Sequence, residues 1–276
     1  MPTRATENTV GRADASSVRL FCFNIHAGNA QNTFREYLTR GWRHFLPDSG
    51  KHKNLLELSR LLANVDIAGL QEVDAGSLRS GFMNQAAFLA ESSGFPYWWQ
   101  QRNRRIGRIA ESSNCLLSRA QPTLVQDHPL PGRVAGRGAI LAVYGEGPDA
   151  LAVVMSHFSL GQQARSRQFD FLRELISPYR HSVVMGDLNC ESSHSCFKNF
   201  MEKTGLAVPG PKSLNTYPAW QPIRAIDHIL VSSDLQVRRY EVPALMLSDH
   251  LPVAVEIGLP AGAKFMRLKK PLQNTD

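Results

Sequence analysis

Short apolar runs recur along the chain, and most of them stop at a polar residue. Runs rich in β-branched and large apolar residues predict buried strands over residues 18–25, 65–73, 113–119, 139–144, 151–155, 183–189, 225–231 and 253–257. Apolar residues at helical spacing predict helices over 53–63, 84–92, 163–176 and 195–204. Because strands and helices alternate along most of the chain, the pattern indicates an α/β fold.

The run Val-Val-Met-Gly-Asp-Leu-Asn at 183–189 shows how these strands end. A glycine closes the apolar part, and Asp187 and Asn189 follow at alternate positions. Residues two apart on an extended chain point to the same side, so we expect this carboxylate and carboxamide to lie together at a strand end. Taken alone, the same residues are also typical of an ordinary turn.

Six strand-like segments carry an acid, an amide or an imidazole at or near a boundary: Asn24, Glu72, His157, Asp187 with Asn189, Asp227, and Asp249 with His250. The repetition predicts a convergent polar site at one edge of a sheet core. The hard oxygen donors of this set suit Mg²⁺ or Mn²⁺ and suit zinc or iron poorly. Two histidines among several acids also supply a base for water, a carboxylate that orients a base, and a donor to a leaving oxygen.

Composition limits the organisation of the chain and the class of its partners. With 276 residues, 43% hydrophobic, and no linker-like stretch, a single domain is expected over 18–258, after a disordered lead-in (1–17) and before a basic tail (259–276). The formal charge of +7 favours anionic partners. No secretory signal, membrane-spanning run or Cys-x-x-Cys motif is visible, which predicts a reduced cytoplasmic protein. A disulfide between Cys190 and Cys196 remains an alternative.

Two segments bear on the substrate, and each has two interpretations. In 29–53, aromatic residues such as Phe34 and Trp42 recur at helical spacing among basic residues. This segment is either a surface helix packed on the core, or a substrate-side lid or membrane-surface helix. In 95–105, Trp98 and Trp99 precede several arginines, which suits either base stacking with phosphate contacts or an ordinary strand with a basic turn.

Taken in order, six motifs resemble the endonuclease/exonuclease/phosphatase superfamily, the deoxyribonuclease-I-like fold. They are Phe-Asn-Ile (23–25), Leu-Gln-Glu-Val (70–73), Ser-His-Phe (156–158), Gly-Asp-Leu-Asn (186–189), Ile-Asp-His-Ile-Leu (226–230) and Ser-Asp-His-Leu-Pro (248–252). The resemblance runs over residues 18–258. It implies a four-layer α/β/β/α sandwich whose site lies at the edge between two sheets. It also implies a divalent-metal-dependent phosphoesterase that cleaves a P–O bond by in-line attack of water.

The resemblance assigns roles to the residues that match its motifs. Glu72 would be the principal metal ligand, helped by Asn24 and Asp249. Asp187 would align or deprotonate the attacking water, and Asn189 would hold a phosphate oxygen.

The remaining matched residues would act on the phosphate. Asp227 would fix the tautomer of His250, whose other nitrogen would contact the phosphate or act in acid–base chemistry. His157 would stabilise charge developing on phosphorus. Asn114, in Ser-Asn-Cys-Leu-Leu-Ser-Arg, resembles a segment of many bacterial members and would touch the phosphate. Abasic-site endonucleases of the superfamily tend to lack a histidine at the position of His157, so that branch fits less well.

Charge and the segment 95–105 favour a nucleic-acid phosphodiester as substrate. The segment 29–53 motivates the alternative, a phospholipid or phosphoinositide substrate with possible contact to a membrane surface. A non-catalytic polyanion-binding module is an alternative of another class, and the intact set of acids and histidines argues against it. No obligate protein partner is inferred.

Overall fold

The computed structural model describes residues 12–14, 17–28, 49–107, 109–133, 136–211, 214–259 and 265–268. Most of the aromatic segment 29–53 therefore lies outside the described residues. Four α-helices occur in the described ranges: α1 (Ser49–Leu62), α2 (Gln85–Ser93), α3 (Gln162–Ile176) and α4 (Ser195–Thr204). The strands there are β1 (Arg12–Asp14), β2 (Ser17–Asn24), β3 (Ile67–Asp74), β4 (Tyr97–Ile106), β5 (Ala110–Ser118), β6 (Leu124–Pro129), β7 (Gly138–Tyr144), β8 (Leu151–His157), β9 (His181–Asp187), β10 (Leu206–Ala207), β11 (Asp227–Ser232), β12 (Val237–Glu241), β13 (Val253–Gly258) and β14 (Met266–Leu268).

Two six-stranded sheets form the centre of the molecule, in the orders β10-β11-β9-β8-β7-β6 and β12-β13-β2-β3-β5-β4. Leu20 and Val255 of one sheet pack against Val153 and Met185 of the other. Helices α1 and α2 cover the outer face of the second sheet, and α3 and α4 cover the outer face of the first. The predicted four-layer α/β/β/α sandwich is confirmed.

The apolar runs of the sequence follow from this layering. Strands β7, β8 and β9 are buried along their whole length, because one face meets the opposite sheet and the other meets helices. Gly69 of β3 lets the sheets approach closely, since a Cβ there would lie 2.5 Å from Met155 Cγ and 2.9 Å from Met185 Cε.

The outermost strands β6 and β12 did not stand out in the sequence. Each lies at the edge of a sheet and is mostly half-buried or exposed. Their residues therefore mix polar and apolar types without a clear alternation.

Residues of the predicted lead-in and of the predicted tail each form a short strand. Strand β1 pairs with β14 in antiparallel register. The Arg267 guanidinium connects β14 to the rest of the fold. It donates to both carboxylate oxygens of Asp66 at 2.6 Å and to the Ser17 carbonyl at 2.8 Å. The division into lead-in, domain and tail stays a prediction. Among the described helices, none is long and apolar enough to cross a membrane.

Candidate active site

Strand register brings the predicted polar residues to one edge of the sandwich. His157, the last residue of β8, lies opposite Asp187 in the parallel β8–β9 pair, and Asp227 lies opposite Asp187 in the antiparallel β9–β11 pair. In the other sheet, Asn24 is the last residue of β2 and lies opposite Gln71, the residue before Glu72. The Asn24 amide donates to Asp187 Oδ2 at 3.1 Å, so this hydrogen bond joins the two sheets at the site.

Gly186 allows β8 and β9 to approach closely just before Asp187. A Cβ at this position would lie 1.9 Å from the Ser156 carbonyl oxygen, which no side chain can accept. The glycine that ends the apolar run is therefore required by packing at the site.

Asp187 lies at the centre of the group and is only 2% exposed. Its Oδ2 is 3.5 Å from His157 Nε2 and 3.9 Å from His250 Nε2. Burial, together with the negative charge of Asp227, raises the pKa of Asp187 to about 7. A carboxylate that titrates near neutral pH can accept a proton from water and release it again.

Asp227 and His250 form a buried hydrogen-bonded pair. Asp227 Oδ2 is 2.8 Å from His250 Nδ1, and it also accepts the Thr216 hydroxyl at 2.6 Å. The Tyr217 ring packs against the imidazole, with centroids 4.8 Å apart. Burial lowers the pKa of His250, but Asp227 and Asp187 raise it more, to about 10. The imidazole is thus held with Nδ1 on Asp227 and Nε2 facing Asp187.

Glu72 reaches the site from an irregular strand. The β3–β5 ladder shifts register between Leu70 and Val73, and Glu72 takes a φ of 55°, in the left-handed region. Its side chain is 31% exposed, with Oε1 4.0 Å from His157 Nε2. Burial raises the pKa of Glu72, but His26 and His157 lower it more, so the pKa lies below its usual range.

Asp249 is held by a histidine that the sequence reasoning missed. His26 Nδ1 lies 3.0 Å from Asp249 Oδ1, and the Ser248 hydroxyl donates to the same oxygen at 3.1 Å. Burial opposes ionisation, but these partners hold the pKa of Asp249 well below its usual range. The sequence signal for His26 was its place two residues after Asn24, at the same strand end.

Two groups of side chains could be considered for a metal ion at this edge. Asp187, Asp227 and His250 place ligand atoms within 4.8 Å of one another. Hydrogen bonds already connect that group to Asn24 and Thr216, which suits proton transfer better. Glu72 keeps a partly exposed carboxylate. The carboxylates of Glu72 and Asp249 and the side-chain oxygen of Asn24, which accepts from the His26 N–H at 3.2 Å, are oxygen donors of the kind that Mg²⁺ or Mn²⁺ prefers. The residues present therefore fit a hard divalent cation.

His157 is buried against Arg137, which the sequence gave no reason to select. The guanidinium Nη1 contacts His157 Nε2. Burial and the positive charge of Arg137 lower the pKa of His157 to about 3, so the imidazole is neutral at pH 7. Arg137 also lines a neighbouring groove of about 370 Å³ with Arg133, Ser159, Gln163 and Arg167.

Asn189 does not follow the expected extended geometry. The chain turns after Asp187, Asn189 takes a φ of 48°, and its backbone N–H donates to Asp187 Oδ1 at 3.0 Å. The expectation that the two side chains share one face of a strand is therefore wrong. The Asn189 amide donates to the Phe158 carbonyl at 3.0 Å, which leaves a second amide hydrogen.

Asn114 is fully buried between the sheets. Its amide donates to Gln101 Oε1 at 3.2 Å and to the Gly138 carbonyl at 3.1 Å, and its Oδ1 has no hydrogen-bond partner among the described residues. An amide contact from Asn114 to phosphate would break one of these bonds, so the predicted phosphate contact stays a prediction.

The tryptophans of 95–105 belong to an edge strand. Trp98 lies opposite Leu117 of β5, which in turn lies opposite Ala68 of β3. Ala68 is four residues before Glu72, so Trp98 lies about 13 Å from the level of Glu72 along the strand direction. Trp99 packs against the core between the sheets, and Trp98 is 39% exposed. Of the two interpretations, these residues fit the ordinary strand.

Comparisons with known proteins bear on the family and the fold of the chain. The sequence profile of the Endonuclease/Exonuclease/phosphatase family matches residues 22–250. An endonuclease/exonuclease/phosphatase from Beutenbergia cavernae superposes with a TM-score of 0.69 at 19% identity, covering 91% of this chain and 74% of that one. A mannosyl-6-phosphatase from Bacteroides thetaiotaomicron gives 0.62 at 16% identity, covering 87% and 99%. TDP2 from D. rerio, complexed with a single-stranded DNA product, gives 0.64 at 13% identity, covering 88% and 100%. No curated protein sequence matches the chain.

Proposed function

Because the chain belongs to the endonuclease/exonuclease/phosphatase family of metal-dependent phosphoester hydrolases, we propose that it hydrolyses a phosphodiester by in-line attack of water, with nucleic acid as the favoured substrate. The observation that carries the proposal is the buried Asp187, whose carboxylate lies within 4 Å of two histidines. The other catalytic and metal-binding roles below are part of the same proposal.

In this mechanism Asp187 takes the proton from the attacking water. Its pKa of about 7 suits that task, since a base works best when its pKa lies near the working pH. Asn24 and the Asn189 backbone fix the two carboxylate oxygens, so the water would be aimed in one direction.

The phosphate would be held by donors on the other side of Asp187. His250, protonated and fixed through Asp227, would donate from Nε2 to a phosphoryl oxygen. The second amide hydrogen of Asn189 would donate to another phosphoryl oxygen. His157 is neutral and its Nε2 accepts from Arg137, so His157 would act by orienting that guanidinium toward the phosphate. Such preorganised donors stabilise charge that grows in the transition state.

Glu72, Asp249 and Asn24 would hold the divalent cation, Mg²⁺ or Mn²⁺. When bound, the cation would neutralise negative charge on the phosphoryl oxygens. The positive φ of Glu72 supports this role, because non-glycine residues in strained backbone regions cluster at functional sites.

The groove lined by Arg133, Arg137 and Arg167 supports a polyanionic substrate. It adjoins His157 through Arg137, so a phosphate next to the scissile one would meet guanidinium groups there. The formal charge of +7 favours the same class of ligand. Trp98 and Trp99 give no support for a nucleic-acid substrate, because they belong to an ordinary edge strand. The segment 29–53, which motivated a phospholipid substrate, lies mostly outside the described residues.

The first experiment tests the chemistry. With Mg²⁺ or Mn²⁺ the purified protein should hydrolyse bis-p-nitrophenyl phosphate, and EDTA, Asp187→Ala or His250→Ala should abolish this activity. Trp98→Ala is the matched control and should retain it. Undiminished hydrolysis by both site variants, purified free of other phosphoesterases, would refute the residue assignment.

The second experiment tests the substrate class. Plasmid DNA, single-stranded RNA and phospholipid vesicles are compared as substrates in one assay. Nucleic-acid binding should weaken in Arg167→Ala, with the slope of log affinity against log salt reduced by about one. Arg173→Ala, on the same helix but paired with Asp170 and Glu174, should bind as the wild type does. Turnover confined to vesicles would replace nucleic acid by a lipid substrate.

A further inference from the structure

A second group of metal-binding side chains lies just beyond the proposed catalytic residues. Cys190, His194 and Cys196 place two sulfur atoms and an imidazole nitrogen within 4.8 Å of one another. Their spacing, Cys-x₃-His-x-Cys, puts all three on the connection from β9 to the first residues of α4. Soft sulfur and imidazole ligands favour cations different from those taken by the hard oxygens of Glu72 and Asp249.

The distance between the two sulfur atoms suits a shared cation. Cys190 Sγ lies 3.8 Å from Cys196 Sγ, and both thiols are free. A tetrahedral zinc ion with Zn–S bonds of about 2.3 Å separates its thiolates by about 3.8 Å. A disulfide would require the sulfurs to approach to about 2.05 Å.

The backbone that carries these ligands is fixed at several points. The Cys190 carbonyl oxygen lies 2.8 Å from His228 Nε2, which places that end of the segment against β11. The His194 N–H donates to the Glu191 carbonyl at 3.0 Å, and the His194 carbonyl accepts from the Lys198 N–H at 3.0 Å. Phe197, next to Cys196, is buried in the core beneath α4. The ligands therefore need little reordering to close around an ion.

We propose that Cys190, His194 and Cys196 form a second metal site that binds Zn²⁺, with water at the fourth position. Binding would convert Zn²⁺ and two thiols into a neutral bis-thiolate complex and release two protons. Without a cation, burial and Cys196 raise the pKa of Cys190 to about 12, which favours the protonated thiol. A bound cation would favour the thiolate instead. The exposed His194 leaves the site open to solvent, so an ion can enter. This proposal does not depend on the substrate or activity proposed above.

Co²⁺ binding to the full-length protein tests the proposal. The protein is stripped of metal, kept reduced, and titrated with Co²⁺ in excess Mg²⁺, which occupies the oxygen site. We expect a near-ultraviolet thiolate-to-cobalt absorption band that saturates at one ion per chain and disappears when Zn²⁺ is added. Zn²⁺ titration in weak buffer should release two protons per ion.

Three variants make the result specific. Cys196→Ser and His194→Ala change partly or fully exposed positions, and circular dichroism confirms that they are folded. Cys196→Ser should lose the absorption band. In Cys196→Ser and in His194→Ala the affinity for Zn²⁺ should fall by more than roughly 10–100-fold, which is the loss typical when a residue that only hydrogen-bonds to a metal ligand is removed. Cys115→Ala removes a buried thiol elsewhere and should keep both band and affinity. Absence of the band in the reduced wild type, or an equal band in Cys196→Ser, would overturn the proposal.

Discussion

The backbone of Glu72 leads to a prediction about which of two substitutions at this position gives the more stable protein. A non-glycine residue in the left-handed region costs about 1–2 kcal/mol, and Glu72 has a φ of 55°. Glycine removes this cost but loses about 0.5–1 kcal/mol through its greater freedom in the unfolded chain. Glu72→Gly should therefore be more stable than Glu72→Ala by roughly 0.5–1 kcal/mol, or about 1–4 °C in Tm for a domain of this size.

Thermal unfolding of the wild type and both variants, in EDTA and in excess Mg²⁺, checks this prediction. Glu72→Ala keeps the backbone cost and loses the carboxylate, so its difference from Glu72→Gly isolates the backbone. Mg²⁺ should raise the Tm of the wild type and have less effect on either variant, because both lack the proposed ligand. If Glu72→Gly unfolds below Glu72→Ala in EDTA, the reasoning from backbone strain is wrong.

Three further predictions concern the Asp227–His250 pair, a buried turn and the strand contact at the candidate site. Asp227→Asn should lower kcat by roughly 10²–10⁴-fold while the fold is retained, because His250 loses the partner that fixes its ring; steady-state kinetics with circular dichroism checks this. Asp74→Asn should destabilise the protein by about 3 kcal/mol at pH 7, because the buried Arg79 loses its carboxylate. Burial raises the pKa of Asp74, but Ser77 and Arg79 lower it more. The stability that the Asp74 carboxylate contributes is therefore complete above about pH 4 and is lost as the pH falls through the lowered folded-state pKa. Urea unfolding at pH 7 and pH 3 should show that the stability difference between the wild type and Asp74→Asn shrinks at the lower pH. Gly186→Ala should destabilise the protein by more than about 3 kcal/mol or prevent folding, measured by soluble yield and Tm, and a wild-type Tm would contradict the close contact with β8.

The parts of the fold that the sequence predicted are those whose environment is uniform. Strands β8 and β9 are buried on both faces, so their apolar runs indicate their position directly. Helix α4 was predicted with its observed bounds, since its apolar residues recur on one face and a glycine follows it. Edge strands β6 and β12 have no such uniform environment, and local pattern did not reveal them.

The candidate site could be predicted as a set of residues because strand ends meet at one edge of a sandwich. Individual geometry could not be predicted, since it depends on contacts between distant segments. Arg137 reaches His157 from the position just before β7, and His26 reaches Asp249 across 223 positions of the chain. Neither contact leaves a periodic signal in the sequence.

The failure of strand geometry at Asn189 has the same physical origin as the strain at Glu72. An extended strand would aim alternate side chains along one face, but a site that binds a single ion or group needs oxygen and nitrogen atoms that converge on a point. Glu72, within β3, and Asn189, two residues after β9 of the other sheet, both take a positive φ, 55° and 48°. Each turn redirects a polar group at the shared edge: the Asn189 N–H fixes Asp187, and the Glu72 carboxylate stays partly exposed beside His157. Periodicity can therefore locate this site, whereas the residues that break periodicity determine which atoms meet there.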